Sequence, residues 1–250
     1  MVHVCCRPLR LRRYPNRRRP IAAALEAALD SRTPGDSMSL LYWTQVRVLL
    51  PCLCRALMRL EVIGQENVPC GPVILAANHP DNWDPYISNL AIRQRAIHHF
   101  ARADGMASFG LGTYWRQLGA IPANSEGLRE ALRILRLGGV VGVYPEGRIA
   151  PALTLAGNGA ATLALRSGAP IVPVAVWGTE RIHPYSPHRR PQVTIRYGTA
   201  RLAERCNGAP QRLSDSIMAD IAAMLPASYR GVYASAAKDG NAAFQRSTAR

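Results

Sequence analysis

One short segment holds two side chains that can act together as an acid–base pair. His79 and Asp84 lie within residues 78–85, NHPDNWDP, with four residues between them. The prolines and the Asp-Asn step of this segment favour a turn that folds Asp84 back onto the His79 ring. A carboxylate on one ring nitrogen favours the imidazolium, so the other nitrogen can take a proton from a hydroxyl. Asp81 is a second candidate partner, and a loop histidine packed near an aspartate by chance is the alternative.

The elements around this pair alternate between strands and helices, which predicts an α/β fold with a mixed, mostly parallel sheet flanked by helices. Apolar runs bounded by turn residues predict six strands, at residues 71–77, 97–101, 119–123, 139–144, 170–176 and 192–197. Helical spacing predicts three helices, at residues 125–137, 158–167 and 211–225. The pair then lies at the carboxyl end of a strand, where α/β proteins bind ligands.

Several other chemistries lack their motifs. Gly110-x-Gly112 and Gly157-x-Gly159 each resemble part of a dinucleotide-binding loop, but neither has the third glycine in register, and no GxxxxGK[ST] run occurs. The GxSxG elbow of serine hydrolases is also missing. The six cysteines form no CxxC pair and have no histidine at zinc-finger spacing. A zinc site is therefore disfavoured, and a reducing compartment is favoured.

The positive charge of the chain is concentrated near its start. The 250 residues carry a net charge of +15, from 31 Lys and Arg against 16 Asp and Glu. Residues 1–20 hold seven arginines and no acid, so they account for +7. We expect residues 1–37 to be a flexible basic tail drawn to anionic lipid headgroups, by about 1 kcal/mol per arginine near the surface. A nucleic-acid arm, a start at Met38 and a genomic preference for arginine are the alternatives.

Residues 39–60 form an apolar stretch with basic flanks. Leucines, valines and Trp43 lie near helical spacing, while three arginines interrupt the run and Pro51 is expected to kink it. The stretch falls short of the roughly 20 apolar residues that a membrane span requires. A helix lying in the membrane interface fits this pattern, and an ordinary amphipathic helix that covers the sheet is the alternative.

The segment NHPDNWDP resembles the NHxxxxD block of the glycerolipid (lysophospholipid) acyltransferase family. Residues 119–122 (GAIP), 144–147 (YPEG) and 170–176 (PIVPVAV) resemble the second, third and fourth blocks of that family. The four blocks follow the order and spacing of the family between about residues 40 and 225. The resemblance implies an enzyme that moves a fatty acyl group from a thioester to a lysophospholipid hydroxyl.

The resemblance also implies roles for individual residues. His79 would be the general base and Asp84 its orienting partner, while Asn78 would help to hold the loop. Glu146 and Gly147 would lie in the acceptor site. The family's chemistry implies neither a metal nor a bound cofactor, since acyl-CoA or acyl-ACP (acyl carrier protein) is a co-substrate.

Three departures from the family's pattern concern phosphate binding. The second block commonly ends in an arginine, but residues 123–125 read Ala-Asn-Ser. In the third block Arg148 stands where the family has Thr, and Ile149 stands where it has Arg. Arg148 and Arg102 are candidate substitutes for the missing cation. Three further arginines are predicted to share one helix face, either as a solvated stripe or as a phosphate site: Arg129, Arg133 and Arg136.

These observations predict a membrane-associated O-acyltransferase at the cytoplasmic face of the cell membrane. The expected partners are a lysophospholipid acceptor, acyl-CoA or acyl-ACP, and an anionic membrane surface, with no nucleic acid. The first choice of acceptor is 1-acylglycerol 3-phosphate, and another lysolipid, a glycolipid or an aminolipid is the alternative. A thioesterase and a non-catalytic lipid- or nucleic-acid-binding module are less favoured. The expected division is a tail (1–37), a membrane-interface helix (38–62), an acyltransferase α/β domain (63–226) and a C-terminal tail (227–250).

Overall fold

The computed structural model describes residues 44–92, 95–107, 110–182, 190–203 and 210–236. Within these ranges the strands are β1 (Arg59–Ile63), β2 (Val73–Ala77), β3 (Ile97–Ala101), β4 (Ile121–Pro122), β5 (Val140–Val143), β6 (Ile171–Trp177) and β7 (Gln192–Tyr197). The helices are α1 (Leu50–Leu57), α2 (Asp84–Ala91), α3 (Ala103–Ala107), α4 (Leu111–Gln117), α5 (Ser125–Arg136), α6 (Gly159–Ser167) and α7 (Pro210–Met224).

The described strands form one seven-stranded sheet in the order β1-β7-β6-β2-β5-β3-β4. The five strands β2 to β6 run parallel, while β7 pairs with β6 in the antiparallel sense and β1 follows β7 in parallel. The predicted mixed, mostly parallel sheet is therefore confirmed. All six predicted strands are present, and β1 is an additional edge strand that the sequence reading missed.

The centre of the sheet is apolar on both faces. Every residue of β2 and of β5 is buried, as expected for parallel strands that are covered on both sides. Ile74 and Ala76 pack into the core on one face, and Val73, Leu75 and Ala77 pack into the core on the other. Burying a Val, Leu or Ile side chain stabilises a fold by about 1.5–3 kcal/mol, so this core fixes the strand ends that follow it.

Helices cover the two faces of the sheet. On one face lie α5, α6 and α7, whose buried residues share a core with β2, β5 and β6. On the other face α2 packs against the sheet and against α1. The helix α5 begins as predicted, but its cap is Asn124, whose side-chain oxygen accepts from the Gly127 amide at 2.9 Å.

The N-terminal segment is helical and amphipathic in its described part. A π-helical turn, Gln45–Leu49, leads directly into α1, and Pro51 is the second residue of α1. The inner side chains of α1 pack against α2, while Leu49 and Leu53 are exposed. The helix predicted for residues 38–62 is too long at its C-terminal end. The structure ends α1 at Leu57, Met58 has β-region backbone angles, and β1 begins at Arg59.

Two further comparisons with the expected organisation concern the ends of the chain. Among the described residues, no helix has both the length and the apolar character to cross a membrane. The predicted C-terminal tail is wrong for residues 227–236, because Tyr229 and Tyr233 in two short 3₁₀ turns are buried in the main core. Residues 1–43 and 237–250 lie outside the described residues, and with them the predicted basic tail and the start of the predicted interface helix.

Candidate active site

His79 and Asp84 meet at the carboxyl end of the central strand β2. The His79 Nδ1 atom lies 2.7 Å from Oδ2 of Asp84. Oδ2 also accepts from the Asp81 amide at 2.8 Å, so an ionised Asp84 is an acceptor only and Nδ1 carries the proton. The lone pair of the imidazole is then on Nε2, on a side chain that is 15% exposed. This arrangement leaves one unprotonated ring nitrogen for a proton transfer.

The Asp84 carboxylate is fully buried at the first turn of α2. Burial raises the pKa of Asp84, while the His79 ring, the Asp81 amide and the Thr179 hydroxyl all act to lower it. The hydrogen bonds from these donors stabilise the charged form of the carboxyl group and so oppose the effect of burial. Asp84 therefore holds the His79 ring in one orientation.

Asp81 is not the partner of the His79 ring. Its Oδ1 accepts from the Trp83 amide at 3.1 Å, so its carboxylate closes the turn that leads into α2. This turn is the one that the sequence predicts, and it brings Asp84 back onto the ring. The sequence left open whether Asp81 or Asp84 is the partner, and in the structure the His79 ring contacts Asp84.

Asn78 joins β2 to β6 directly below the pair. Its side chain is buried, donates to the Val176 carbonyl at 2.8 Å and accepts from the Val176 amide at 2.7 Å. The His79 carbonyl in turn accepts from the Ala150 amide at 2.9 Å. Asn78 is thus placed to hold the loop, and both of its side-chain groups are engaged with backbone.

An aromatic stack supports the His79 ring from one side. Tyr144 lies parallel to it, with ring centroids 4.1 Å apart and an interplanar angle of 18°. His99 of β3 continues the stack at 5.7 Å from Tyr144. Burial lowers the pKa of His99 to about 3, so this ring is neutral. The stack restricts the His79 ring to the plane in which Nδ1 meets Asp84.

A cavity of about 10 Å³ lies at the inner end of this stack. Polar atoms of Ser88, His99, Tyr144 and Tyr197 line it together with apolar residues of the central strands. Burial raises the pKa of the Tyr144 and Tyr197 hydroxyls. The space is close to that of one water molecule.

Glu146 and Gly147 form the turn that follows β5, next to the loop of His79. The Oε2 atom of Glu146 accepts from the amide and the hydroxyl of Thr154, at 2.7 and 2.8 Å. Burial raises the pKa of Glu146, and the Thr154 donors and the His79 amide lower it. Gly147 has φ of +64°, a conformation that a residue with a Cβ rarely adopts. Both residues therefore shape the loop around His79.

The two arginines proposed as phosphate ligands lie in different surroundings. Arg148 is exposed, and its Nε donates to the Thr154 hydroxyl at 3.4 Å, which places it beside Glu146. Arg102 follows β3 and pairs with Asp104 at 2.6 Å. The Arg102 side chain is 80% exposed. The Asp104 carboxylate raises the pKa of Arg102. Only Arg148 is tied to the loops that surround His79.

A groove of about 750 Å³ lies along the same edge of the sheet, beyond β4. Arginines from two helices line it, together with two acids: Arg116, Arg129, Arg133, Glu126 and Glu130. Arg133 pairs with Glu130 at 2.7 Å. The predicted arginine stripe of α5 thus divides, since Arg129 and Arg133 face the groove while Arg136 is not among the lining residues.

Sequence reasoning missed Tyr144, His99 and Thr179 as parts of the site. Tyr144 was visible as the first residue of YPEG, but a stacking contact depends on distance across the sheet. His99 belongs to a predicted strand, and its place below Tyr144 depends on the pairing of β3 with β5. Among the described residues, no group of three or more His, Cys, Asp or Glu side chains is arranged to hold a metal ion.

Comparison with known proteins finds similarity to acyltransferases. Residues 59–177 match the family model described as Acyltransferase. A 1-acyl-sn-glycerol-3-phosphate acyltransferase of Bacillus subtilis (strain 168) is 25% identical over 124 residues, which are 47% of this chain and 62% of that protein. The chain thus spans less than two thirds of the length of this curated relative.

The fold is also similar to a solved structure, that of the 1-acyl-sn-glycerophosphate (LPA) acyltransferase PlsC from Thermotoga maritima. The TM-score is 0.60 at 20% identity, and the match covers 80% of this chain and 84% of that one. The family match includes β1, the His79–Asp84 loop, the Glu146 loop and all of β6. Residues 59–177 are therefore similar to the Acyltransferase family model, and the fold is similar to that of PlsC.

Proposed function

We propose that this protein is an O-acyltransferase that moves a fatty acyl group from a thioester to the hydroxyl of a lysophospholipid, with 1-acylglycerol 3-phosphate as the first choice of acceptor. The observation that carries the proposal is the His79–Asp84 pair at the carboxyl end of β2, within the residues that match the Acyltransferase family model. The names of the relatives support the choice of acceptor. Acyl-CoA and acyl-ACP are both suitable donors.

In this mechanism Nε2 of His79 takes the proton of the acceptor hydroxyl. The hydroxyl oxygen attacks the thioester carbonyl carbon, and the tetrahedral intermediate collapses with cleavage of the C–S bond. The leaving thiolate takes the proton from the imidazolium, so the His79 ring returns to its starting state. Asp84 supports the reaction because its carboxylate, 2.7 Å from Nδ1, stabilises the imidazolium that forms between the two steps.

The surrounding loops assist by holding the base still. Asn78, the residue before His79, is bonded to the backbone of Val176, the Ala150 amide donates to the His79 carbonyl, and Tyr144 stacks on the ring. Positioning of this kind removes part of the entropic barrier to reaction. Glu146 and Gly147 are proposed to form the wall of the acceptor site, and Arg148, which contacts Thr154 beside Glu146, is the cation proposed for that wall.

We further propose that the enzyme works at a membrane. The acceptor is a lipid, and the exposed Leu49 and Leu53 lie on an amphipathic segment with basic residues, which is typical of helices in the membrane interface. The predicted location is the cytoplasmic face of the cell membrane, as a peripheral or monotopic protein.

A different acceptor with the same chemistry is the second candidate function. The positions after GAIP offer no cation, because Asn124 caps α5 and the Ala123 amide donates to the Ala101 carbonyl at 2.8 Å. Arg102, the other proposed substitute, pairs with Asp104. A lysolipid without a terminal phosphate, including an aminolipid or a glycolipid, suits such a site.

The test is an acyl-transfer assay on the purified full chain with acyl-CoA and acyl-ACP donors. Lysophosphatidate, other lysophospholipids and a lyso-aminolipid serve as acceptors. We expect transfer to at least one of them and a loss of roughly 10²–10⁴-fold in kcat for His79→Ala. His98→Ala is the matched control, since His98 contacts the Gly119 carbonyl away from the pair. Equal rates in both variants would exclude His79 as the base, and release of free fatty acid without acceptor would identify a thioesterase.

A further inference from the structure

The exposed large apolar side chains of the described residues are unevenly distributed. Seven are exposed by 44% or more: Leu49, Leu53, Leu137, Ile149, Leu155, Leu202 and Val232. Leu137 and Leu202 lie at the amino edge of the central strands, because Leu137 precedes β5 and Leu202 follows Arg201, which bridges to the start of β6. Ile149 lies on a segment bonded to the His79 loop, Leu155 follows Thr154, which bonds Glu146, and the Val232 amide bonds Leu153, so these three lie towards the opposite edge.

We name these three residues the apolar rim, because hydrogen bonds link the segments that carry them. The backbone amide of Val232 donates to the Leu153 carbonyl at 3.1 Å, which brings the C-terminal turn beside the segment that carries Leu155. Arg148 reaches the Thr154 hydroxyl, so the residues next to Ile149 and Leu155 are in contact. The exposed fractions of Ile149, Leu155 and Val232 are 44%, 74% and 59%.

The apolar rim is tied directly to the proposed base. Ala150, the residue after Ile149, donates its amide to the His79 carbonyl at 2.9 Å. Thr154, the residue before Leu155, holds the Glu146 carboxylate. Two segments of the rim are therefore hydrogen-bonded to the loops that carry His79 and Glu146.

Basic side chains accompany the rim. Arg148 is exposed next to Ile149, and the Arg181 side chain is 66% exposed and reaches the Tyr229 hydroxyl at 3.4 Å. The acids here are engaged, since Glu146 bonds Thr154 and Glu180 bonds both Arg181 and the Tyr229 hydroxyl. Exposed apolar side chains flanked by arginines match the interface of an anionic bilayer, which offers acyl chains below a negatively charged surface.

We infer that the apolar rim is a membrane-docking surface that inserts Ile149, Leu155 and Val232 into an anionic lipid bilayer, so that the site opens directly onto the lipid phase. This inference rests on the proposed function, because a lipid acceptor resident in the bilayer is what makes such an opening useful. It is separate from the N-terminal helix, whose exposed leucines lie on another segment.

The experiment measures binding of the full-length protein to sonicated vesicles by co-sedimentation, without turnover. Vesicles of phosphatidylcholine alone are compared with vesicles that contain phosphatidylglycerol. The test variant is Ile149→Ser with Leu155→Ser, and the matched control is Leu137→Ser with Leu202→Ser, which removes equally exposed apolar groups from the amino edge. A thermal melt of each variant verifies the fold.

We expect the rim variant to bind phosphatidylglycerol vesicles about tenfold more weakly, on the scale of two partly buried apolar side chains. The control should bind within about twofold of the wild-type protein, as partition follows the apolar area that is buried. Equal loss in both variants, no loss in either, or a wild-type protein that ignores both kinds of vesicle would overturn the inference.

A second readout separates this inference from the proposed function. With a short-chain lysolipid kept below its micellar concentration, the rim variant should retain the wild-type kcat, whereas KM for the vesicle-borne acceptor should rise. Loss of kcat on the monomeric acceptor would assign Ile149 and Leu155 to the reaction and contradict a docking role. A wild-type protein that transfers no acyl group would contradict the proposed function, while the binding comparison would still decide for or against the rim.

Discussion

The centre and the β4 end of the sheet's carboxyl edge hold their polar side chains in different ways. At the centre, Asp84 and Asn78 are buried, and Asn78 bonds a residue 98 positions away. At the other end, Arg102 and Arg133 are exposed and pair with acids two and three residues away. Exposed local pairs are weak and are screened by salt, so the first group is held in place and the second is free to rearrange.

This difference indicates that the fold fixes the side chains at the centre more firmly than those at the β4 end. The His79–Asp84 contact forms within one turn, and Asn78 fixes that turn to β6, so we expect a change of acceptor to leave it intact. The arginines near the groove and the loops are held by local contacts, so their number and position can change without a cost to the core. We expect substitutions at the centre to lower kcat and substitutions of single exposed arginines at the β4 end to have little effect.

The largest expected effect is that of Asp84→Asn. The amide retains the volume of the carboxylate but removes the charge that stabilises the imidazolium, so kcat should fall by roughly 10³-fold. The measurement is a steady-state assay with the best acceptor found, together with a thermal melt to verify folding.

Asp81→Asn is the control for this change. The amide oxygen still accepts from the Trp83 amide, and Asp81 does not contact the His79 ring, so kcat should remain within about threefold of the wild-type value. A comparable loss in both variants would mean that the turn, and not the Asp84 charge, determines the rate.

The next effect concerns stability. The pKa of His99 lies at about 3 in the fold, whereas an unfolded histidine has a pKa of about 6.5. Between these values the unfolded chain binds the proton and the folded chain does not, so stability is lost as the pH falls below 6.5. The loss is about 1.4 kcal/mol per pH unit, or about 2 kcal/mol between pH 6.5 and 5.

The variant His99→Gln measures this effect. Glutamine does not titrate, so the variant should show a flatter dependence of urea unfolding on pH between 6.5 and 5, whatever its stability at neutral pH. The other titrating groups are common to both proteins and cancel in the difference. Parallel curves for the two proteins would show that His99 is protonated in the fold.

A smaller effect is expected at Tyr144. The variant Tyr144→Leu removes the ring that stacks on His79 at 4.1 Å, and the misplaced base should lower kcat on the order of tenfold with little change in KM. Tyr144→Phe keeps the ring and should restore most of the rate. If Phe and Leu were equally poor, the hydroxyl in the cavity, and not the stack, would be the functional group.

The smallest effect is expected for Arg102→Ala. This side chain is exposed and pairs with Asp104, so KM for the acceptor should change by less than about twofold. Arg148→Ala is the informative comparison, because Arg148 lies beside Glu146. A larger rise in KM for Arg102→Ala than for Arg148→Ala would indicate that the acceptor's anionic group binds near the β4 end.

Local patterns predicted most of the fold. The runs that became β2, β5 and β6 are short, apolar and bounded by turn residues, and such strands are recognisable without tertiary information. The edge strand β1 was read as the end of a helix because RLEVI is equally compatible with both, and only its pairing with β7 decides. No local sequence pattern predicts that β7 lies between β1 and β6 and runs antiparallel to β6.

The candidate site was predictable to the extent that it is local. His79 and Asp84 lie within one turn, whose prolines and aspartates indicate the contact. The Tyr144 stack, the Thr179 hydroxyl and the role of Asn78 all depend on residues that are distant in the sequence. For the same reason, Tyr229 and Tyr233 were placed in a tail although they pack into the core, because two isolated tyrosines between polar residues carry no periodic pattern.

The contact between Gly142 and His99 has a consequence for how this domain can diverge. A Cβ on residue 142 would collide with the Nδ1 atom of His99, so any larger residue at 142 requires a smaller one at 99. We expect the two positions to be inherited as a unit. Relatives with alanine or serine at position 142 should also have exchanged the histidine at 99, and with it the lower ring of the stack beneath the base.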